Sequence, residues 1–258
     1  MTPRKFEERN IATAHPVIPG LDYFGDWRPA YSVRGDLIEY FEMKDGNLGL
    51  AVGDVGGKGV PANLLKSSLQ KMIRALRLAR NFSLDALVRR ADRLFCEIGR
   101  DRCYATLFVG EYDPSNGCLH YVNAGHEPPF VLRKNGGHFH TDFLEPGGPM
   151  IGRQQDSPHR EEVVSLRPGD VLVAYTDGLC EMTNPDGEAW GWPRFLQTVE
   201  ECADLRAQDM VEGVLQKADA FAGGVPPPDD ATLFVGRVRN TIEDSPRYRE
   251  ECAVLVAA

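Results

Sequence analysis

The chain has 258 residues, 42% of them apolar and 26% charged, with a formal net charge of −9. That length and balance fit a globular protein with a sizeable core, as one large domain or two small ones. The acidic balance argues against a nucleic-acid footprint, no apolar run approaches the ~20 residues that span a bilayer, and the first residues lack the basic-then-apolar order of a signal peptide. The cysteines (Cys96, Cys103, Cys118, Cys180, Cys202, Cys252) are scattered without a C-x-x-C pair. They read as reduced, mostly buried thiols of a cytoplasmic protein.

Residues 1–19 read as an extended lead-in, with a short helix near Lys5 to Ala12. Leu37 to Met43 and Leu48 to Val52 flank the turn Asp45-Gly46, a β-hairpin signature. Antiparallel pairing around that turn brings Asp36 and Asp54 together at one sheet edge. Asp54 lies in Gly53-Asp54-Val55-Gly56-Gly57-Lys58-Gly59, where glycine permits close backbone approach and the carboxylate suits a hard cation. A phosphate loop is a poor fit: three residues, not four, separate Gly53 from Gly57-Lys58, and no hydroxyl follows the lysine.

Two helices follow. Leu65, Leu69, Met72, Ile73 and Leu76 recur at helical spacing within Val60 to Ala79; Ser83 caps a second stripe, Leu84 to Ile98. Both stripes read as core faces. Strands are expected at Ala105–Tyr112, Leu119–Asn123, Phe130–Arg133, Val171–Tyr175 and Ala231–Val238. Asn123-Ala124-Gly125-His126 is a polar kink, and residues 153–162 read as a polar, mobile loop. Pro193–Cys202 and Leu205–Ala222 fit helices, the second stopped by Gly223-Gly224. The tail from Arg239 is charged and then apolar; it reads as disordered, an edge strand or an association segment.

Asp36, Asp54, Asp177 and Asp229, the last with Asp230 beside it, all lie where an apolar strand meets a turn. A single aspartate there is by default a turn residue. Four in one context suggest strand ends converging on one edge, where carboxylates repel unless cations neutralise them. Oxygen-only ligands favour Mg²⁺, Mn²⁺ or Ca²⁺, and no histidine or cysteine cluster has zinc spacing. Two hard ions roughly 3.5–4 Å apart are the usual apparatus for phosphate-ester hydrolysis. Asp54 is the choice for the bridging acid, since a neighbouring backbone carbonyl can add a ligand.

Six motifs occur in order: Arg34-Gly35-Asp36, the Gly53–Gly59 stretch, Asn123-Ala124-Gly125-His126, Gly148-Pro149-Met150-Ile151-Gly152, Tyr175-Thr176-Asp177-Gly178 and Asp229-Asp230-Ala231-Thr232. Over about residues 20–238 the chain thereby resembles the SpoIIE/RsbU-type branch of the metal-dependent serine/threonine protein phosphatases, the PPM or type 2C group. The resemblance implies an α+β fold: a four-layer αββα sandwich of two antiparallel sheets flanked by helices. It divides the chain into lead-in (1–19), phosphatase domain (20–238) and tail (239–258). It also implies two Mn²⁺ or Mg²⁺ ions, with Asp54 bridging them and the Val55 carbonyl completing one site. Asp177 and Asp229 hold the second ion, and Asp36 binds directly or through water.

The implied reaction is hydrolysis of a phosphoserine or phosphothreonine monoester by a metal-activated water, in which Asp36, Asp54 and Asp177 are the expected catalytic acids. The implied partner is a phosphoprotein, such as an anti-sigma-factor antagonist in bacterial signalling, with no nucleic acid or membrane; a homodimer is a further expectation. The chain is then a stand-alone enzyme, one regulated in trans, or the catalytic part of a longer protein. Two features depart from the family pattern. Arg34 replaces a glycine and either reaches the phosphate or points to solvent. Gly56 lies near the position of the general-acid histidine of eukaryotic relatives, which leaves His126 as a candidate acid or a structural loop residue. The rival readings are a pseudophosphatase that only docks a phosphoprotein and a phosphatase for small phosphate esters.

Overall fold

The computed structural model describes residues 16–30, 35–57, 59–78, 83–99 and 102–239. The expected helix near Lys5, the side chains of Arg34 and Lys58, Cys252 and nearly all of the tail lie outside those residues. The elements in chain order are β1 (Leu21–Arg28), β2 (Asp36–Glu42), β3 (Leu48–Gly56), α1 (Val60–Ala75), α2 (Leu84–Gly99), β4 (Tyr104–Asp113), β5 (Cys118–Ala124), β6 (Phe130–Asn135), β7 (His138–Phe143), β8 (Glu161–Ser165), β9 (Val171–Tyr175), α3 (Gly178–Glu181), α4 (Gly191–Cys202), α5 (Ala207–Ala222) and β10 (Ala231–Val238).

Two five-stranded sheets result, ordered β1-β10-β9-β6-β7 and β2-β3-β4-β5-β8. Every strand pair is antiparallel. Alternation along each strand sends successive side chains to opposite faces. On β2 and β3, Leu37, Ala51 and Val55 pack under α1 and α2, with Leu65, Leu69, Val88 and Phe95. Their neighbours Ile38, Leu50 and Val52 turn inward and meet Val131, Leu172 and Phe234 of the other sheet. The outer face of that sheet carries Val173, Tyr175, Leu233 and Val235, covered by α4 and α5. The layers are therefore helix, sheet, sheet, helix, as the resemblance implied.

Local signals act where expected. Ser83 Oγ accepts the Ala86 amide at the start of α2. The left-handed Gly223 closes α5. Three strands went unrecognised in the sequence; one of them, β8, begins at Glu161 and takes only the last two residues of the stretch 153–162, whose other residues form the expected loop. β1, β7 and β8 are all edge strands. With one neighbour and a half-wet face they need no apolar run, and no residue of β7 is fully buried. Among the described residues no helix is long and apolar enough to cross a membrane, and Cys103, Cys180 and Cys202 are free thiols.

Candidate metal centre

The inner layer of the sandwich ends in acids at one end. β2 and β3 pair so that Asp36 stands directly opposite Asp54, as the hairpin predicts. Both continue the inward-facing rows of Ile38 and Val52. The other sheet supplies Thr176 and Asp177 just past β9, and Asp229 and Asp230 just before β10. The loops meet closely: a Cβ on Gly178 would lie 2.2 Å from the Asp230 carbonyl oxygen, so no larger residue fits there.

Asp36 ties the two sheets together. Its Oδ2 accepts Thr176 Oγ1 at 2.7 Å and Thr232 Oγ1 at 2.5 Å. Thr176 Oγ1 in turn accepts the Thr232 amide at 2.9 Å. Asp36 is 2% exposed. Burial pushes its carboxyl up to about 8, against the pull of the two hydroxyls and with help from the charges of Asp54 and Asp230. Asp54 is pushed up to about 6, first by burial and then by the negative charges of Asp229, Asp177 and Asp230.

The remaining acids are held by local amides. Asp177 Oδ1 accepts the Gly178 amide at 2.8 Å and Asp229 Oδ1 accepts the Asp230 amide at 2.7 Å. Asp230, also 2% exposed, has both oxygens engaged: Oδ1 takes the Ala30 amide and Oδ2 the Gly35 amide, each at 2.8 Å. It clamps the chain leading into Asp36. Val55 lies beside Asp54 on β3, and its amide donates to the Gly35 carbonyl at 3.3 Å.

No three histidine, cysteine, aspartate or glutamate side chains among the described residues stand in a ready-made arrangement around one metal ion. The carboxylates lie within electrostatic reach of Asp54 but are turned to amides and hydroxyls, as mutually repelling groups are. The donor chemistry nevertheless fits hard divalent cations. It consists of oxygens only, and the proton affinity of Asp36 and Asp54 is raised first by burial and then by the neighbouring carboxylates.

His126 is buried, 2% exposed. Its Nδ1 bonds Thr106 Oγ1 at 3.0 Å, the hydroxyl that also accepts the Asp54 amide at 3.3 Å. Its Nε2 has no hydrogen-bond partner among the described residues. Burial lowers its pKa to about 4. Enclosed and bonded to Thr106, the imidazole supports the strand that carries Asp54. Sequence reading missed the threonines that hold Asp36, and the clamp made by Asp230. Thr176 and Thr232 stand inside two of the motifs, so the signal was present without its role. It also missed Glu127, whose carboxyl is pushed up by burial and then by Asp177 and Glu181.

Comparison with known proteins bears on the family and the fold. The family model described as stage II sporulation protein E (SpoIIE) matches residues 44–239. Protein IcfG of Synechocystis is 30% identical over 241 residues, covering 81% of this chain and 38% of its own. Phosphoserine phosphatase RsbU of Bacillus subtilis is 27% identical over 230 residues, covering 88% of this chain and 66% of its own. The chain thus spans less than two thirds of either relative. Among solved structures, the RsbU and RsbW domains of Rv1364c from Mycobacterium tuberculosis superpose with a TM-score of 0.67 at 26% identity, over 87% of this chain and 63% of that one. The catalytic domain of the phosphatase PstP, solved with two manganese ions, shares the fold at a TM-score of 0.62 and 15% identity, over 85% of this chain and 99% of that one. With the family model matching most of its length, this chain belongs to the SpoIIE family.

Proposed function

We propose that this chain is a metal-dependent protein phosphatase that hydrolyses phosphoserine or phosphothreonine in a protein, through a unit spanning residues 20–238. One observation carries the reading: acids from both sheets converge at one end of the inner layer, with Asp36 opposite Asp54 and locked to Thr176 and Thr232. Asp54 would bridge two ions, the Val55 carbonyl would complete one site, and Asp177 and Asp229 would hold the other. Asp36 would bind directly or through water. When bound there, Mn²⁺ or Mg²⁺ supplies water activation and neutralises charge on the phosphoryl oxygens.

The chain's own residues prepare that place. Asp36 fixes the spacing of the two sheets, and Asp230 sets the approach to Asp36. Thr106 and His126 hold the Asp54 backbone. No cysteine or serine nucleophile is required, and His126, neutral and enclosed, takes no part in proton transfer. The name of the relative RsbU supports phosphoserine as the substrate group, and we assign a small anti-sigma-factor antagonist as the phosphoprotein on the same kinship. The turning of Asp177 and Asp229 to local amides favours a second reading, a phosphoprotein-binding module without turnover.

Hydrolysis of p-nitrophenyl phosphate and of a phosphoserine peptide, with EDTA, Mg²⁺ or Mn²⁺, separates the two. Activity that needs metal and falls at least ~100-fold in Asp177→Asn is expected, a loss of about 2.7 kcal/mol of transition-state stabilisation. A folded protein inert with every metal leaves the binding module as the reading.

A further inference from the structure

Arg153 stands just past the motif Gly148–Gly152. Its guanidinium lies over the Tyr104 ring, 4.2 Å from the ring centre. Tyr104 pairs with Gly56, and Thr106 with Asp54. Residues two apart on a strand share a face. Tyr104 and Gly56 therefore continue the face that carries Asp54 toward the strand end. The ring occupies the space a side chain at position 56 would take: a Cβ there would lie 2.3 Å from Tyr104 Cζ. The backbone before Arg153 is fixed as well. Ile151 pairs with Ala105 through two hydrogen bonds of 2.9 and 2.8 Å, and the Gly152 amide donates to the buried Asp92 at 2.8 Å.

The result is an exposed, always-charged cation on an aromatic platform. Among the described residues it makes no ion pair, in a chain of net charge −9. Gly56 lies two residues from Asp54, about 6.5 Å along the strand, and the ring and guanidinium extend further. The cation therefore lies off the strand end beyond Asp54, past Gly56 on the face that carries Asp54.

We propose that Arg153, stacked on Tyr104, is a specificity residue that binds an acidic side chain flanking the phosphoserine of the protein substrate. A planar guanidinium matches a carboxylate with two parallel hydrogen bonds, and stacking holds the plane in place. This rests on the phosphatase reading for the identity of the reacting group.

The test compares two phosphoserine peptides, one with Asp or Glu flanking the phosphoserine and one with Ala, by turnover and by equilibrium binding. Wild type should favour the acidic peptide about fivefold, the effect of one exposed charge pair. Arg153→Ala should erase the preference, mainly through KM, and Arg153→Glu should favour a lysine-flanked peptide instead. Tyr104→Phe should retain the preference and Tyr104→Ala should weaken it. A wild type indifferent to the flanking residue overturns the proposal. So does an equal fall for both peptides and p-nitrophenyl phosphate in Arg153→Ala, which would assign the arginine to the phosphoryl group itself. An inactive wild type whose peptide binding still depends on Arg153 would sink the catalytic reading alone, and absence of that dependence would sink this one too.

Discussion

At the scale of single residues, His126 shows how a site is supported from behind. In the sequence it is one polar letter in a loop, a candidate proton donor but more often a structural residue. Burial decides between them: the imidazole is enclosed, bonded to Thr106, and stays neutral until about pH 4. The linkage runs in a definite direction. In the unfolded chain His126 takes a proton below about 6.5, whereas in the folded chain it resists until about 4. Its contribution to stability is therefore complete above pH 6.5 and is lost as pH falls toward 4, up to about 3 kcal/mol. His126→Asn keeps a polar atom near the Nδ1 position but cannot ionise in this range. Denaturant titrations of the metal-free protein between pH 7 and 4 should show a shallower loss of stability for the variant than for wild type. Parallel slopes would mean that the imidazole is not enclosed as described.

At the scale of elements, one helix side chain anchors a loop. Asp92 lies on the inner side of α2, 1% exposed, and its Oδ1 holds the Gly152 amide. Its Oδ2 has no hydrogen-bond partner among the described residues. Asp92→Ala leaves a buried amide unsatisfied and should cost about 1–3 kcal/mol. Asp92→Asn keeps an acceptor for that amide without the negative charge, and should recover most of the loss in urea unfolding; two equally damaged variants would show that the acceptor is not what matters. No periodicity rule finds such an anchor, because Asp92 sits on a helix face that reads from sequence as purely apolar. The central strands were legible for the opposite reason. β3, β4 and β9 are buried on both faces, and burial demands the apolar runs Leu48–Val52, Ala105–Tyr112 and Val171–Tyr175. β1, β7 and β8 carry no such demand and stayed hidden. The acids of the site were legible because each stands at a strand end beside a turn residue, a position visible in one dimension. Their partners Thr176 and Thr232 were not, since they are joined to Asp36 only by the meeting of two sheets, 140 and 196 residues away in the chain.

At the scale of the whole molecule, the two sheets hold mutually repelling carboxylates at one end of a shared core. The crowding opposes folding when cations are withheld. Asp54, raised to about 6 by burial and by Asp229, Asp177 and Asp230, is ionised at pH 7.5 at the expense of the folded state. The sign follows from the raised folded value: the contribution of Asp54 to the stability of the metal-free protein falls as pH climbs from about 4 through 6, and that contribution is gone by 7.5. A cation that binds only the folded chain reverses this. At a hundredfold excess over its dissociation constant, one ion adds about 2.7 kcal/mol, which for a chain of this size raises the melting temperature by roughly 5–10 °C. Differential scanning calorimetry at pH 7.5 should therefore show a clear rise on adding Mn²⁺ to wild type. Asp54→Asn should behave in the opposite sense on both counts. Without metal its melting temperature should equal or exceed that of wild type, because one of the repelling charges is gone; with Mn²⁺ the rise should largely vanish, because the proposed bridging ligand is gone with it. A variant that melts lower without metal yet keeps the full Mn²⁺ response would place Asp54 in the packing of β3 and outside the metal centre.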